Sequence, residues 1–447
     1  MDHRRMGLII STLMNGAGAA EFWQKAKVAV SSFGLIQYLP IWETSGTSVQ
    51  DISGLGNNAV HINVFPGQPG AGDGKLFAYY KNLSTTNALS AGLVTAFGNG
   101  KEGWAWVVGK MNLTTTWTNV HNSELFRFTG DSSNFVYIRK TTTNNQLGFL
   151  YRSNASNALV TDASLAGTDD LFDAGITWSK VNNRMLAFIN GSQVGTNQTV
   201  GAGNWTANPV LSIATVGAEL VTSPLECHVG YLGDFMMGAG VEGTPALMLA
   251  LHNLRMSLLT KNMVFEGDSL TRGDGVPNYP DQSYPNQLVG RLAGCDFFNY
   301  ATGGTTIVTM LTRTATIDAK YNAGRTCYAI LEAGIVDLVS VATAATIYAN
   351  LKTWWAGRKA LGFRVIPHTL ASNTNCYASA PLEAVRVALN TLIRSDPTLY
   401  YRLADVAADA RLGNVDSCLN ETYFAVDHVH PNATGCTVQA DIVQAVL

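Results

Sequence analysis

The chain has 447 residues, of which 47% are hydrophobic and 14% are charged, and its formal net charge is −3. This composition is typical of a well-packed globular protein, and the length predicts two or three domains. Because Lys and Arg do not cluster, the sequence gives no basis for nucleic-acid binding. It also lacks a stretch of about 18 consecutive apolar residues, so no membrane span is predicted.

Residues 1–36 are predicted to form a helical lead segment. Arg4 and Arg5, followed by an apolar stretch that reaches Met14, loosely imitate a secretory signal peptide. That stretch is short and is interrupted by Ser11, which favours an ordinary lead helix.

Residues 37–245 contain short β-prone runs separated by clusters of Gly, Asn and Ser, with little helix between them. Closely spaced strands of this kind predict an antiparallel β-sandwich. The runs include residues 104–108, 135–139, 147–152, 174–178, 185–189 and 211–215. Asn190 and Gly191 follow one of them and predict a hairpin turn, since both residue types tolerate positive φ.

Four short motifs in this region resemble the laminin-G/concanavalin A-like jelly roll. They are L-P-I-W-E at 39–43, D-I-S-G at 51–54, F-I-N-G at 188–191 and Y-L-G-D-F at 231–235. The resemblance implies carbohydrate binding, in some members with calcium, although no calcium ligand set can be assigned to particular residues. A sandwich that serves only packing or spacing stays an equal alternative.

Residues 246–260 are predicted to form a helical linker, after which the pattern changes. Between residues 261 and 447, apolar strands alternate with helical segments, which predicts an α/β three-layer domain with a parallel sheet. The expected strands are residues 296–300, 327–331, 364–369 and 400–406, and the expected helices are residues 284–293, 344–361, 381–393 and 434–446.

The six cysteines are not arranged as C-x-x-C pairs, so the sequence predicts no zinc or thioredoxin-type site. Cys295 with Cys327, or Cys376 with Cys418, could form disulfides in a protein that works outside the cytosol. Buried free thiols are the equal alternative.

The C-terminal region contains the residue types needed for nucleophilic catalysis. Ser269 follows an apolar run at the point where a parallel strand would end, and Asp427 and His430 lie three residues apart near the end of the chain. A serine hydroxyl becomes a good nucleophile when a base accepts its proton, and a carboxylate fixes the tautomer of that base. We therefore predict Ser269 as nucleophile, His430 as base and Asp427 as its partner.

The order of the motifs in this region resembles the SGNH (GDSL) hydrolase family. The first is G-D-S-L at 267–270, the second is N-Y-A-T-G-G-T-T at 299–306, and the last is D-x-x-H at 427–430. By this resemblance, the backbone N–H groups of Ser269 and Gly304 form the oxyanion hole. No G-x-S-x-G is found, which counts against the ordinary α/β-hydrolase fold.

One motif departs from the family pattern. Where the family has G-x-N-D, this chain has G-I-V-D at 334–337, so Val336 stands at the position of the oxyanion-binding asparagine. Valine has no hydrogen-bond donor. The enzyme could be slow, Asn373 or Asn375 could supply the donor, or the site could be partly degenerate. We expect an active site with a non-standard oxyanion hole.

Four acidic residues near the predicted strand ends are expected to have structural roles. Glu266 and Glu332 are expected to form buried hydrogen bonds, and Asp268 to bond backbone in the nucleophile turn. Asp337 could orient the loop after the third strand.

The two resemblances together imply a serine esterase that needs no cofactor. Its ester substrate would be an acetylated glycan, to which the carbohydrate-binding sandwich would also bind. Such pairings imply an extracellular protein or one associated with a phage virion. Two alternatives stay open. One is a glycan-binding adhesion or phage tail protein with a weak esterase domain, and the other is a short-chain carboxylesterase or lipase without glycan preference.

Overall fold

The computed structural model describes residues 17–41, 46–69, 76–80, 85–111, 122–142, 146–165, 170–200, 211–218, 230–277, 282–292, 294–340, 343–372 and 380–447. The chain divides into two compact units between Leu258 and Leu259. None of the helices formed by these residues combines the length and apolarity needed to cross a membrane. The stretch that imitates a signal peptide lies outside the described residues.

Within the described residues, the N-terminal unit contains two antiparallel sheets of eight strands each. The strands of the first sheet are β1 (Leu35–Leu39), β4 (Phe65–Pro69), β5 (Leu76–Tyr80), β7 (Glu102–Met111), β12 (Phe172–Ser179), β13 (Arg184–Ile189), β14 (Ser192–Gln198) and β16 (Gly230–Ala239). Their order is β14-β13-β12-β7-β16-β5-β4, and β1 also pairs with β16.

The strands of the second sheet are β2 (Ser48–Val49), β3 (Ala59–Ile62), β6 (Thr85–Asn87), β8 (Ser123–Asp131), β9 (Asn134–Lys140), β10 (Leu147–Ser153), β11 (Ser156–Asp162) and β15 (Ile213–Val216). Their order is β11-β10-β9-β8-β15-β6-β3-β2.

The two sheets share one hydrophobic core. Phe235 of β16 contacts Phe126 and Phe128 of β8, with ring centroids 5.5 and 5.7 Å apart. Tyr151 of β10 stacks on Trp178 of β12 at 5.7 Å. These contacts confirm the predicted sandwich, because residues that alternate along each strand place one face of each sheet in the interior.

The hairpin between β13 and β14 has the turn predicted from its sequence. Asn190 and Gly191 have φ values of 50° and 72°. Positive φ at both central residues is the conformation of a type I′ turn, whose twist matches that of the flanking strands.

The described part of the N-terminal unit includes the helices α1 (Ala17–Val30), α2 (Ala91–Phe97) and α3 (Pro245–Ser257). Helix α3 covers most of the segment expected to be a linker. Its Leu247 and Leu251 are buried, and Arg255, also fully buried, lies 3.6 Å from the carboxylate of Asp234 on β16. The helix is thus an integral part of this unit.

Where the structure describes the C-terminal unit, it has a parallel sheet of four strands: β17 (Lys261–Gly267), β18 (Cys295–Asn299), β19 (Thr326–Glu332) and β20 (Arg364–Pro367). Their order is β18-β17-β19-β20. The helices are α4 (Ser269–Arg272), α5 (Tyr284–Val289), α6 (Ile307–Thr312), α7 (Thr314–Asp318), α8 (Ile335–Val339), α9 (Ala344–Leu361), α10 (Ala380–Ser395) and α11 (Ala433–Gln444). Short 3₁₀ turns cover Pro397–Leu399, Val406–Ala408 and Ser417–Leu419.

Helices cover both faces of this sheet. Val264 and Leu331 share a core with Trp354 of α9, whereas Met263 and Ile330 share another with helices α5 and α11. Strands that are buried on both faces explain the continuous apolar runs in the sequence. The predicted three-layer α/β fold is confirmed.

The strand predicted at residues 400–406 is wrong. Among the described residues, the N–H groups of Tyr401 and Ala404 donate to carbonyl oxygens of β20, but the segment forms an isolated parallel bridge with His368 and not a strand. The carboxylate of Asp405 instead accepts hydrogen bonds from Thr369 and Arg394, and the chain then enters the 3₁₀ turn Val406–Ala408. A polar anchor thus interrupts an apolar run that the pattern alone presents as a strand.

The cysteines of the described residues are free and buried: Cys295, Cys327, Cys418 and Cys436. Cys295 is on β18 and Cys327 on β19, and both strands pair with β17 from opposite sides. Because a full strand separates them, these two thiols cannot form a disulfide. Cys376 and Cys227 lie outside the described residues.

Candidate active site

The predicted nucleophile lies in a tight turn between β17 and α4. Asp268 caps α4, because its Oδ1 atom accepts the N–H of Leu270 at 3.0 Å, and Ser269 is the first helical residue. Gly267 permits the turn: a Cβ atom there would lie 2.3 Å from Thr271 Oγ1 and 2.6 Å from the carbonyl oxygen of Glu332. The turn therefore presents a partly exposed serine at the carboxyl edge of the sheet, where open α/β folds bind ligands.

The structure brings the three predicted triad residues together. The hydroxyl of Ser269 lies 2.8 Å from Nε2 of His430, and Nδ1 of His430 lies 2.7 Å from Oδ2 of Asp427. The other carboxylate oxygen of Asp427 accepts the backbone N–H groups of Val429 and His430 at 2.9 and 3.1 Å. One carboxylate thus fixes both the backbone turn and the imidazole ring.

The charge state of Asp427 follows from these contacts. Partial burial opposes ionisation, but the hydrogen bonds from the His430 side chain and from two backbone N–H groups outweigh it and hold the pKa of Asp427 below its usual value. An ionised carboxylate at Nδ1 favours a proton on that atom. The Nε2 atom is then free to accept the proton of Ser269.

The loop that carries Gly304 lies beside the nucleophile turn. The N–H groups of Tyr300 and Thr302 donate to the carbonyl oxygens of Phe265 and Gly267 at 2.9 and 3.0 Å, which extends the pairing of β18 with β17. Gly304 has a φ of 72°, and a Cβ atom at this position would have open space around it. Glycine is therefore favoured here by its backbone conformation rather than by lack of room.

Val336 lies in the first turn of α8, after Gly334 with its φ of 121°. Its side chain is half-buried against the core that α9 covers. The neighbouring Asp337 is buried, and its Oδ2 accepts the N–H of Ile307 at 3.0 Å. Asn373 and Asn375, the predicted substitutes for the missing donor, lie outside the described residues.

A buried polar cluster lies behind the nucleophile turn. Glu332 accepts hydrogen bonds from Thr271 at 3.2 Å and from Gln439 at 3.0 Å, and His368 lies 4.0 Å from the same carboxyl. Burial raises the pKa of Glu332 to about 8 and that of Asp268 to about 7, and it lowers the pKa of His368 to about 3. Near neutral pH the cluster therefore holds a protonated Glu332 and a neutral imidazole.

The sequence did not identify Arg313 as part of this region. Its guanidinium forms a bidentate pair with Glu266 and also reaches Thr302 of the Gly304 loop. No local motif marks this residue, because its partners lie 47 and 11 positions away in the chain.

In the described parts of the chain, no group of three or more His, Cys, Asp or Glu side chains is arranged to hold a metal ion. Ser269, His430 and Asp427 thus have the geometry of a Ser-His-Asp triad at the edge of a parallel α/β sheet. Residues 265–438 match the family of GDSL-like lipases/acylhydrolases. The C-terminal unit is thus a GDSL-like ester hydrolase domain.

Several solved structures are similar to part of the chain. A lipolytic protein of the G-D-S-L family from Veillonella parvula is 17% identical, with 42% of this chain and 98% of that one covered and a TM-score of 0.36. A mutant of Axe2, an acetyl-xylooligosaccharide esterase from a Geobacillus species, is 17% identical, with 42% and 94% covered and a TM-score of 0.35.

Domain 4 of the extracellular arabinanase AbnA from Geobacillus stearothermophilus is 12% identical, with 49% of this chain and 98% of that one covered and a TM-score of 0.36. No curated protein matches the chain.

Proposed function

We propose that the protein is a serine esterase that removes acetyl groups from a polysaccharide through an acyl-serine intermediate. The observation that carries the chemical part is the continuous hydrogen-bonded path from Ser269 through His430 to Asp427. A nucleophile within hydrogen-bond reach of its base, with the base oriented by a third group, is the arrangement that acyl transfer requires.

The reaction has two stages. His430 Nε2 takes the proton of Ser269 as Oγ attacks the acyl carbon, and the N–H groups of Ser269 and Gly304 hold the oxyanion. The protonated His430, stabilised by Asp427, then gives its proton to the leaving alcohol. Water attacks the acyl-serine in the same way, His430 takes a proton from it, and the acid leaves as Ser269 regains its proton.

The glycan part of the proposal is supported by the sandwich and its resemblance to carbohydrate-binding jelly rolls. Phe135 and Tyr137 of β9 form a stacked pair in a small cluster separate from the shared core, and both rings are buried, with 8% and 5% of their surface exposed. Arg127 lies 4.5 Å from the Phe135 ring centroid, Arg139 lies 4.3 Å from that of Tyr137, and Arg152 lies 5.4 Å from that of Phe135. A ligand at this surface would meet the guanidinium groups that cover the rings, and guanidinium groups are suited to the carboxylates of acidic sugars.

A polymer held by one part of the chain would meet the esterase at raised effective concentration. A polymeric substrate also implies an extracellular or virion-associated setting.

Release of acetate tests the proposed reaction. Acetylated xylan, pectin and bacterial capsule are compared with p-nitrophenyl acetate and butyrate, for the wild type and Ser269→Ala. The matched control is Ser395→Ala, an exposed serine at the end of α10. We expect acetate release that depends on Ser269, with a loss in kcat of at least about 10⁴-fold in Ser269→Ala. Turnover that persists in that variant would contradict the assignment.

The glycan preference is tested separately. Arg152→Gln should raise the KM for the polymer and leave the kinetics on p-nitrophenyl acetate unchanged. Hydrolysis of butyrate without release from any polymer would instead indicate a short-chain esterase.

A glycan-binding adhesion protein with a weakened esterase is the second candidate, and Val336 is the observation that favours it. Loss of one oxyanion donor costs about 10²–10³ in kcat in other enzymes. Binding of a polysaccharide without any Ser269-dependent turnover would support this candidate over the first.

A further inference from the structure

The side chain of Arg313 contacts both ends of the turn that carries Gly304. The N–H of Thr305 donates to the carbonyl oxygen of Thr302 at 3.4 Å, so residues 302–305 form a turn with Gly303 and Gly304 at its centre. The third residue of a type II turn has positive φ, which Gly304 supplies with 72°. The direction of the Gly304 N–H therefore depends on how the two ends of this turn are held.

Arg313, which follows α6, reaches both ends. Its Nη1 atom donates to Thr302 Oγ1 at 2.9 Å, and its Nη2 atom lies 3.5 Å from Thr305 Oγ1. The Thr305 hydroxyl in turn donates to the carbonyl oxygen of Thr302 at 2.6 Å and lies 3.4 Å from that of Gly267. The guanidinium thus links the turn to the strand that ends at the nucleophile.

The guanidinium is itself oriented by Glu266. Its Nη2 and Nε atoms lie 2.5 and 3.1 Å from the two carboxylate oxygens of this residue, a bidentate geometry. Glu266 is fully buried at the end of β17, and its Oε1 also accepts the N–H of Gly267 at 3.1 Å. The Arg313 side chain is 25% exposed, so the pair is anchored on its carboxylate side.

We propose that Arg313 is a positioning residue for the ester hydrolysis: held by Glu266, it fixes the turn at residues 302–305 so that Gly304 can serve the oxyanion. This inference rests on the proposed function. The positioning role matters more because Val336 supplies no hydrogen-bond donor. An oxyanion hole with fewer donors depends more on the placement of each remaining donor. A misplacement of about 1 Å in an active site can cost about 10²-fold in rate.

The experiment compares Arg313→Gln and Arg313→Lys with the wild type and Ser269→Ala on p-nitrophenyl acetate. Arg394→Gln is the matched control, because Arg394 forms a comparable bidentate pair with Asp405 at 2.7 and 2.8 Å in the same unit. We expect Arg313→Gln to lower kcat about tenfold to hundredfold with KM within about twofold. Arg313→Lys should recover part of the loss, and Arg394→Gln should match the wild type.

A second readout separates positioning from mere stability. A boronic acid forms a tetrahedral adduct with the serine that resembles the oxyanion intermediate. Its inhibition constant should rise in Arg313→Gln by the same factor by which kcat/KM falls. If Arg313→Gln does not fold, Thr302→Val removes the shorter contact with the guanidinium and keeps both the pair with Glu266 and the hydrogen bonds of the Thr305 hydroxyl, and a loss of kcat at unchanged KM is again expected.

The outcomes are distinguishable. Wild-type kcat in Arg313→Gln, or a loss confined to KM with an unchanged boronic acid constant, overturns the positioning role while the esterase assignment stands. If the wild type itself shows no Ser269-dependent turnover, the proposed function fails and this inference falls with it.

Discussion

Asp337 and Ile307 join two loops of the active site. The Oδ2 atom of Asp337, in the first turn of α8, accepts the backbone N–H of Ile307 at 3.0 Å. Ile307 is the first residue of α6 and comes directly after the loop that contains Gly304. The G-I-V-D motif therefore contacts the Gly304 loop through its aspartate, although its valine offers no donor.

Removal of this carboxylate should reduce catalysis. In Asp337→Ala the buried N–H of Ile307 loses its partner, and we expect kcat to fall about tenfold as the loop shifts. Asp337→Asn keeps an oxygen acceptor and should retain most of the activity. Steady-state kinetics on p-nitrophenyl acetate checks this, with Asp441→Ala, an exposed carboxylate of α11, as control. Equal activity in Asp337→Ala and the control would argue against the link.

Val336→Asn tests whether the oxyanion hole lacks a donor. An amide at this position should add a hydrogen bond to the oxyanion, so kcat should rise, up to about 10²-fold if the geometry is ideal. Val339→Asn introduces the same change on an exposed position of the same helix and should leave kcat unchanged. An unchanged or lower kcat in Val336→Asn would show that another group already fills the position.

Gly267→Ala should disrupt the nucleophile turn. The added methyl group would lie 2.3 Å from Thr271 Oγ1 and 2.6 Å from a backbone carbonyl, so the turn must shift. We expect a lower melting temperature and the loss of most activity. Gly357→Ala is the control: its methyl group meets nothing within 4 Å in the middle of α9, and it should stabilise the protein by about 1 kcal/mol. Full activity in Gly267→Ala would contradict the described turn.

The buried cluster predicts a pH dependence of stability. Burial raises the pKa of Glu332 to about 8, whereas the same group in the unfolded chain releases its proton at about pH 4.3. The folded state therefore binds one more proton between these two pH values, and the contribution of Glu332 to the free energy of unfolding declines as the pH rises from about 4.3 to about 8. Asp268 acts in the same direction up to about pH 7. His368, with a pKa of about 3, has the opposite sign up to about pH 6.5, where the unfolded imidazole stops binding a proton.

Above about pH 6.5 His368 no longer offsets the effect of the two carboxyl groups. The free energy of unfolding should therefore fall towards pH 8, by at most about 1.4 kcal/mol per pH unit for each carboxyl group that releases its proton. Glu332→Gln should flatten this decline. Urea titrations followed by hydrogen exchange of β19 peptides report on the C-terminal unit alone. A decline that is equally steep in Glu332→Gln would assign it to other groups.

The sequence was informative wherever a short local pattern determines the structure. The hairpin at Asn190-Gly191 depends on two adjacent residues, and the G-D-S-L turn depends on one glycine that admits no Cβ atom. The family order of the motifs linked Ser269 to Asp427 and His430, and the structure places these side chains in contact.

The contacts of Arg313 and Asp337 could not be predicted in this way, because they join residues from separate loops after different strands. The strand expected at residues 400–406 failed for a related reason. Its apolar pattern is local, whereas the Thr369 and Arg394 side chains that hold Asp405 come from elsewhere in the fold.

Covalent labelling tests the central claim most directly. A fluorophosphonate reacts with an activated serine, which displaces fluoride and leaves a stable phosphonyl ester. Mass spectrometry of the labelled chain, followed by peptide mapping, should show a single adduct on Ser269 and none in Ser269→Ala. An adduct that persists in Ser269→Ala, or a wild-type chain that stays unlabelled, would contradict the assignment of Ser269 as the nucleophile.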